Sequence, residues 1–445
     1  MGHRHGDPER AGAGPLRLAT LPAVPSLLVD LTPLRRSPSF RRLWLGLSVG
    51  SLGSQLTVVG VSYQTYLLTH STAMVGLVSL AGLLPTLVGS LIGGAIADST
   101  DRRRLLIATQ ILLAAASASL AANALLPHPQ VWVLFVAPSA IACLQGVDWP
   151  TRLAAVPMLV GAEDLSSAFA LQSMVNNLAM VAGPALAGLL IGRLGVTSVY
   201  MADVASYGAT LIAACRLPAL VPSGGGTAPG VASIVEGLRY LRTQKLLTAT
   251  FALDFNAMVF GMPKAVFPAL GTRLFHGGAS TVGLLYAAPG AGALLASMAS
   301  GWVRHISARG RALVVCMLVW GAAMVGVGSI AELWVGLVLL AAAGGADIIG
   351  GVFRVAILQT TTPEELQGRL SGVFFAAAVS GNRLGDGESG LAASLGGSQF
   401  AVWSGGLACV VGTALLAWRI PGLWSDRQPR GRQPRGRQPR RSAVP

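Results

Sequence analysis

The sequence predicts an all-α integral membrane protein of twelve transmembrane helices, arranged as two pseudo-symmetric halves of six. Three observations carry this. Of 445 residues, 53% are hydrophobic and only 11% charged, against about 25% charged in a soluble protein, so this much apolar surface needs lipid as its solvent. The apolar residues fall into twelve runs, near 43–68, 74–96, 105–126, 131–153, 168–191, 196–214, 246–270, 282–303, 312–330, 333–358, 370–391 and 400–418, each close to the roughly 20 residues that cross a bilayer. Features of the first six runs return about two hundred residues later in the last six.

Residues 1–38 precede the first span. They are broken by Pro15, Pro22, Pro25 and Pro33 and read as a disordered cytoplasmic arm. The stretch 16–31 is apolar, but it lacks the uninterrupted core and small-residue cleavage site of a signal peptide.

Spans one to six make the first half, 39–216. Orientation follows from arginine. Arg41 and Arg42 lead into span one, Arg102, Arg103 and Arg104 follow span two, and Arg239, Arg242 and Lys245 precede span seven. Arg309 and Arg311 follow span eight, Arg369 precedes span eleven, and an arginine-rich tail follows span twelve. The alternate loops hold little beyond His70, His128, Arg193, Arg273, His276 and Glu332. Both termini are therefore expected in the cytoplasm, and the net charge of +14 reads as topology rather than as a nucleic-acid surface.

Residues 217–245 read as a cytoplasmic linker. Pro218, Pro222 and Gly224-Gly225-Gly226 open it, and an amphipathic helix follows, with Ile234, Leu238 and Leu241 on one face. The second half is 246–420. The tail, 421–445, repeats Gln-Pro-Arg-Gly-Arg, has little to bury and is expected to be disordered, with arginines that could touch anionic headgroups.

The four cysteines, Cys143, Cys215, Cys316 and Cys409, all fall in apolar runs and read as small core residues rather than disulfides or metal ligands. The six histidines lie in tails and loops, which argues against a membrane-embedded enzyme. No phosphate-binding loop of the Gly-x-x-x-x-Gly-Lys-Ser/Thr kind occurs. No cofactor, metal or nucleic acid is expected.

The stretch Gly94-Ala95-Ile96-Ala97-Asp98-Ser99-Thr100-Asp101-Arg102-Arg103-Arg104 places two carboxylates and three arginines between spans two and three. It resembles the Gly-x-x-x-Asp-x-x-x-Arg-Arg loop signature of major facilitator transporters. A degenerate copy, Gly301…Arg309-x-Arg311, follows span eight with His305 and Ala308 in place of the two acids. The resemblance implies that Gly94, Asp98, Asp101, Arg102 and Arg103 form a conformational latch. Asp98 would face the free amides at the start of span eleven, near Arg369-Leu370-Ser371, and hold the outward-open state. The bland alternative is a stop-transfer charge cluster.

Gly183-Pro184-Ala185-Leu186-Ala187-Gly188 in span five resembles the Gly-Pro-x-x-Gly-Gly motif of drug/proton antiporters, with Ala187 replacing one glycine. Gly183, Pro184 and Gly188 thereby favour an exporter over an importer. Gly344-Gly345-Ala346-Asp347 through Arg369, and Asn382-Arg383-Leu384-Gly385-Asp386, resemble the enterobactin-exporter and macrolide-efflux, or transmembrane secretion effector, subfamily. The fold implied is two parallel halves rocking about a central site.

Ionisable residues deep in spans are costly and mark transport paths. The candidates are Asp148 and Arg152, four apart and able to pair on one helix face, then Asp254, Asp347, Arg354, Arg383 and Asp386, with Asp203 and Lys264 beside them. Asp347 is favoured as the proton carrier and Asp254 is next, Arg354 being two turns from Asp347 and out of direct reach unless the side chains bend together. The function expected is export of a small hydrophobic or amphipathic molecule, drug-like or siderophore-like, by proton antiport, from a monomer in the cytoplasmic membrane. The alternatives are a nutrient importer of the same fold and a non-transporting membrane sensor.

Overall fold

The computed structural model describes residues 30–221 and 231–425, together with Gly2. The expected disorder of residues 3–29, the Pro222 and triple-glycine part of the linker, and the repeats of the tail fall outside the described residues. Among the described residues there is no strand. Among the described residues ten helices are long and apolar enough to cross a bilayer. Val196–Cys215 and Glu364–Gly396 complete the twelve: their polar residues dilute the apolar run, but each packs in the bundle, on spans one and two respectively.

Local sequence sets the helix ends. Ser37 caps span one (Pro38–Thr69) by accepting from the Phe40 amide at 3.1 Å, with Pro38 in the first turn, where its missing N–H costs nothing. Asp101 caps span three (Arg102–Leu125) by accepting from the Arg103 amide at 3.0 Å. The turns from span five to six and from span eleven to twelve both pass through glycine in the left-handed region, Gly195 at φ +80° and Gly397 at φ +87°. The matching pair is the internal symmetry expressed in backbone geometry.

Several boundaries differ from the sequence reading. Residues Thr32–Arg36 already form a helical turn, and Arg36 reaches Asp164 at 3.5 Å, so the end of the arm belongs to the first half. That half extends past 216, because Leu217 and Leu220 are buried and the Leu220 amide donates to Asp101 at 2.9 Å. The second half extends past 420 into residues 421–425, where Leu423 is buried and Trp424 lies under the Arg311 guanidinium. Apolar anchors, not the arginine-rich composition around them, decide these ends. Cys215, expected in the core, is exposed at the end of span six. Span seven is not continuous over 246–270. Its helix Lys245–Phe260 stops at Gly261, and after Pro263, which has no N–H to donate, the chain resumes as a 3-10 turn, Lys264–Val266, and then a short helix. Span two likewise breaks at Gly82, between Thr72–Ala81 and Leu83–Ser99.

The halves meet along two seams, span two on span eleven and span five on span eight. Both seams lie toward the face opposite the arginines. A Cβ on Gly283 would stand 2.5 Å from the Pro184 carbonyl, and one on Gly188 would stand 2.7 Å from the Ala279 carbonyl. Only glycine permits backbones this close. Toward the arginine face the seams part, and nothing packs within 4 Å of where a Cβ on Gly94 would be. The bundle is thus closed on the opposite face and open on the arginine face.

The linker helix, Val231–Thr243, docks on the start of span eleven. Gly237 lies against Arg369 and Val373, Glu236 pairs with Arg369, and Leu241 is buried, while Leu238 is exposed. The Ile234 side chain lies outside the described residues.

Candidate functional site: a charged cavity between the halves

A cavity of about 150 Å³ opens between the halves at mid-membrane depth. The first half contributes Ser54, Thr57 and Ser62 of span one, Gln145 of span four and Tyr207 of span six. The second half contributes Lys264, Tyr286, Arg383 and Asp386. The break in span seven is what brings Lys264 here, and the Tyr286 hydroxyl pins that break by donating to the Lys264 carbonyl at 2.8 Å. A second cavity of about 320 Å³ lies toward the arginine face among spans one, four and five, and it shares Ser54, Gln145 and Tyr207 with the first. Together they trace a polar path from the open face to the centre.

The path ends at a plug formed by both halves. The Ser79 hydroxyl of span two donates to the Asp386 carboxylate of span eleven at 2.5 Å, and Arg383 donates back to the Ser79 carbonyl at 2.8 Å. The span-two break at Gly82 makes room, since the Arg383 guanidinium occupies the space where a Cβ would be. Nearer the opposite face, the Arg273 guanidinium lies 5.6 Å from the Tyr66 ring centre, a cation–π contact between halves.

The other candidate residues form three groups. Asp148 and Arg152 pair as their spacing suggested, beside the second cavity, and Thr109 and Gln110 donate to the same carboxylate at 3.0 and 2.9 Å. Arg354 of span ten is shared. It pairs with Asp254 of span seven and reaches Asp347 on its own helix at 3.8 Å. The approach of Asp347 and Arg354, which their spacing allowed only if the side chains bend together, is made: two helical turns are bridged because the long arginine side chain lies along its helix, over the Phe374 ring at 5.1 Å. Asp203 has no ion-pair partner among the described residues. It is held by Thr57 at 2.7 Å, Ser117 at 2.8 Å and Ser206 at 3.4 Å, which ties spans one, three and six together.

The loop after span two is bound to its own half. Asp98 reaches Arg102 at 4.0 Å, Arg102 donates to the Ala154 carbonyl at 3.1 Å, and Arg103 donates to the Cys215 carbonyl at 2.7 Å. Asp101 caps span three and bonds Leu220. Among the described residues Asp98 has no hydrogen bond or ion pair to span eleven; its ion pair is with Arg102. Gly183 packs on span one, and Pro184 and Gly188 pack on span eight, so the span-five motif builds a seam between the halves.

Sequence reasoning did not single out Ser79, Tyr286 or the Arg273–Tyr66 contact. Neutral hydroxyls inside apolar runs carry no signal, and Arg273 read as a loop charge. Among the described residues no group of three or more His, Cys, Asp or Glu is placed to hold a metal.

Comparison with known proteins gives concordant results. Residues 29–437 match the family described as "Transmembrane secretion effector". The enterobactin exporter of Citrobacter koseri is 32% identical over 376 residues, covering 84% of this chain and 88% of that protein. The enterobactin exporter of a Shigella boydii strain is 31% identical with the same coverage. Among solved structures, a POT family transporter in complex with 5-aminolevulinic acid superposes with a TM-score of 0.70 at 12% identity, covering 87% of this chain and 97% of that one. A bacterial homologue of the human lysosomal transporter Spinster, in an inward-facing and unoccupied conformation, gives 0.66 at 14%, covering 88% and 98%.

Proposed function

The chain belongs to the transmembrane secretion effector family of major facilitator transporters, and from that premise we propose that it exports a small hydrophobic or amphipathic molecule, drug-like or siderophore-like, by exchange for protons. The arginine face is then the cytoplasmic one, the protein is a monomer in the cytoplasmic membrane with both termini inside, and the conformation described above is inward-open. Substrate enters along the path past Asp148–Arg152 and settles in the central cavity. The two halves then rock, the plug at Ser79–Asp386 opens, and the loop after span two closes on the start of span eleven.

The observation that carries the antiport reading is the sharing of Arg354 by two carboxylates, Asp254 and Asp347. One guanidinium balances one carboxylate, so at membrane depth the second is expected to bind a proton for part of the cycle. Asp254 is the more buried and has the closer pairing, which leaves Asp347, with its side chain 39% exposed, as the exchangeable site. Export, rather than import, is supported by the names of the relatives and by the span-five motif. The test is substrate accumulation in a host stripped of its own efflux pumps, with and without a protonophore. Lower accumulation on expression, abolished by the protonophore, is the expected result. Accumulation that rises on expression indicates an importer, and accumulation unchanged for every compound tried indicates a sensor.

A further inference from the structure

The central cavity carries an imbalance of charge. Its lining includes two cations, Lys264 and Arg383, and one anion, Asp386. Asp386 accepts from the Ser79 hydroxyl and Arg383 donates to the Ser79 carbonyl, so both are held across the seam, although Asp386 Oδ1 is buried without a hydrogen-bond partner among the described residues. Lys264 differs. Its backbone is pinned by Tyr286, but among the described residues its ammonium has no ion-pair partner. Asp386 and Asp347 are within electrostatic reach of it, yet Asp347 is at ion-pair distance from Arg354 instead. An ammonium offers three donors, and a cation at membrane depth is costly unless something answers it. The walls around it are apolar and aromatic, with Val58, Val61, Tyr207 and Tyr286.

We propose that Lys264 is the substrate-selecting residue of this cavity and that the exported molecule carries an acidic group, a carboxylate or an ionised phenol, on an aromatic or aliphatic body. The acid would bind the Lys264 ammonium while the body packs on Tyr207, Tyr286 and the valines. The arrangement disfavours permanently cationic amphiphiles, which would meet Lys264 and Arg383 with only Asp386 to offset them. The proposal rests on the exporter reading of the same cavity and narrows it to one substrate class.

The test uses purified full-length protein and three fluorescent probes: dansyl-phenylalanine, which is a carboxylate, its neutral methyl ester, and ethidium, a permanent cation. Equilibrium binding is measured for the wild type and for Lys264→Gln, Lys264→Arg and the distant control Lys245→Gln. The wild type should prefer the carboxylate to the ester by on the order of tenfold or more, the size of one charge-assisted hydrogen bond, and should bind ethidium weakest. Lys264→Gln should erase the preference with ester binding unchanged, whereas Lys264→Arg and Lys245→Gln should keep it. Retained ester binding also shows that Lys264→Gln is folded. Equal binding of the three probes, a preference for ethidium, no binding of any of them, or a preference that survives Lys264→Gln overturns the assignment. The accumulation screen decides export separately: a cation exported by the wild type leaves the exporter reading standing and removes the acidic substrate.

Discussion

The Ser79 hydroxyl of span two donates to the Asp386 carboxylate of span eleven at 2.5 Å, a hydrogen bond that links the two halves at the bottom of the open cavity. With the return bond from Arg383 to the Ser79 carbonyl, it forms a closure that must break before the opposite face opens. A hydrogen bond to a charged group contributes roughly 1.5–3 kcal/mol. Ser79→Ala is therefore expected to shift the resting population toward opposite-face-open by about tenfold or more. Spin labels at Leu68 and Leu395, both exposed near that face, should report a longer distance in the variant. An unchanged distance distribution would mean that glycine packing alone holds the seam.

That packing gives the second prediction. Gly283 approaches the Pro184 carbonyl so closely that any side chain needs the helices to separate. Overpacking costs typically 1–3 kcal/mol, and here it falls on the closed seam. Gly283→Val should lower the melting temperature of the purified protein more than Gly94→Val does, since Gly94 has open space around it, and it should also reduce transport. Equal melting temperatures for the two variants would contradict the seam.

The loop after span two yields a prediction in which stability and activity part company. Among the described residues Asp98 makes one ion pair, with Arg102, partly exposed at 4.0 Å, and such pairs contribute at most about 1 kcal/mol. Asp98→Asn should thus leave expression and melting temperature nearly unchanged while impairing efflux, because the proposed contact with the start of span eleven forms only when the arginine face closes. Normal efflux would reduce the segment to a topology signal.

Topology is testable through the tail. In a background with all four native cysteines replaced, the exposed Cys215 above all, a cysteine at Ser442 should react with an impermeant thiol reagent only after cells are opened. Labelling in intact cells would falsify the orientation drawn from the arginines.

Much of this molecule was legible in its sequence, for reasons that also explain what was not. Apolar run length gave the twelve spans, and i, i+4 spacing gave Asp148–Arg152, because both are properties of one helix. Arg354–Asp254 joins residues one hundred positions apart on different helices, and no local rule pairs them. The break that turns Lys264 into the cavity was hidden by the apolar residues on both sides of Pro263. The ends of the halves moved because one buried leucine, Leu220 or Leu423, outweighs a polar neighbourhood.

The shared arginine separates Asp347 from Asp254. Asp347→Asn leaves Arg354 with Asp254, an intact buried pair, so the variant should be made at normal levels and keep its fold. Asp254→Asn leaves Arg354 to Asp347 at 3.8 Å, a looser arrangement that should cost stability. Removing the cation, as in Arg354→Met, strands a carboxylate that is almost wholly buried, and breaking such a pair costs roughly 3–5 kcal/mol. Expression and melting temperature should therefore fall in the order wild type or Asp347→Asn, then Asp254→Asn, then Arg354→Met. Activity should follow a different order. If Asp347 exchanges the proton, Asp347→Asn loses uphill, protonophore-sensitive efflux but keeps downhill exchange of substrate across the membrane, because nothing that lines the cavity has changed. A variant that still concentrates substrate uphill moves the proton site to Asp254, where loss of coupling and loss of stability would coincide. A variant that loses exchange as well as uphill efflux assigns Asp347 to substrate binding instead.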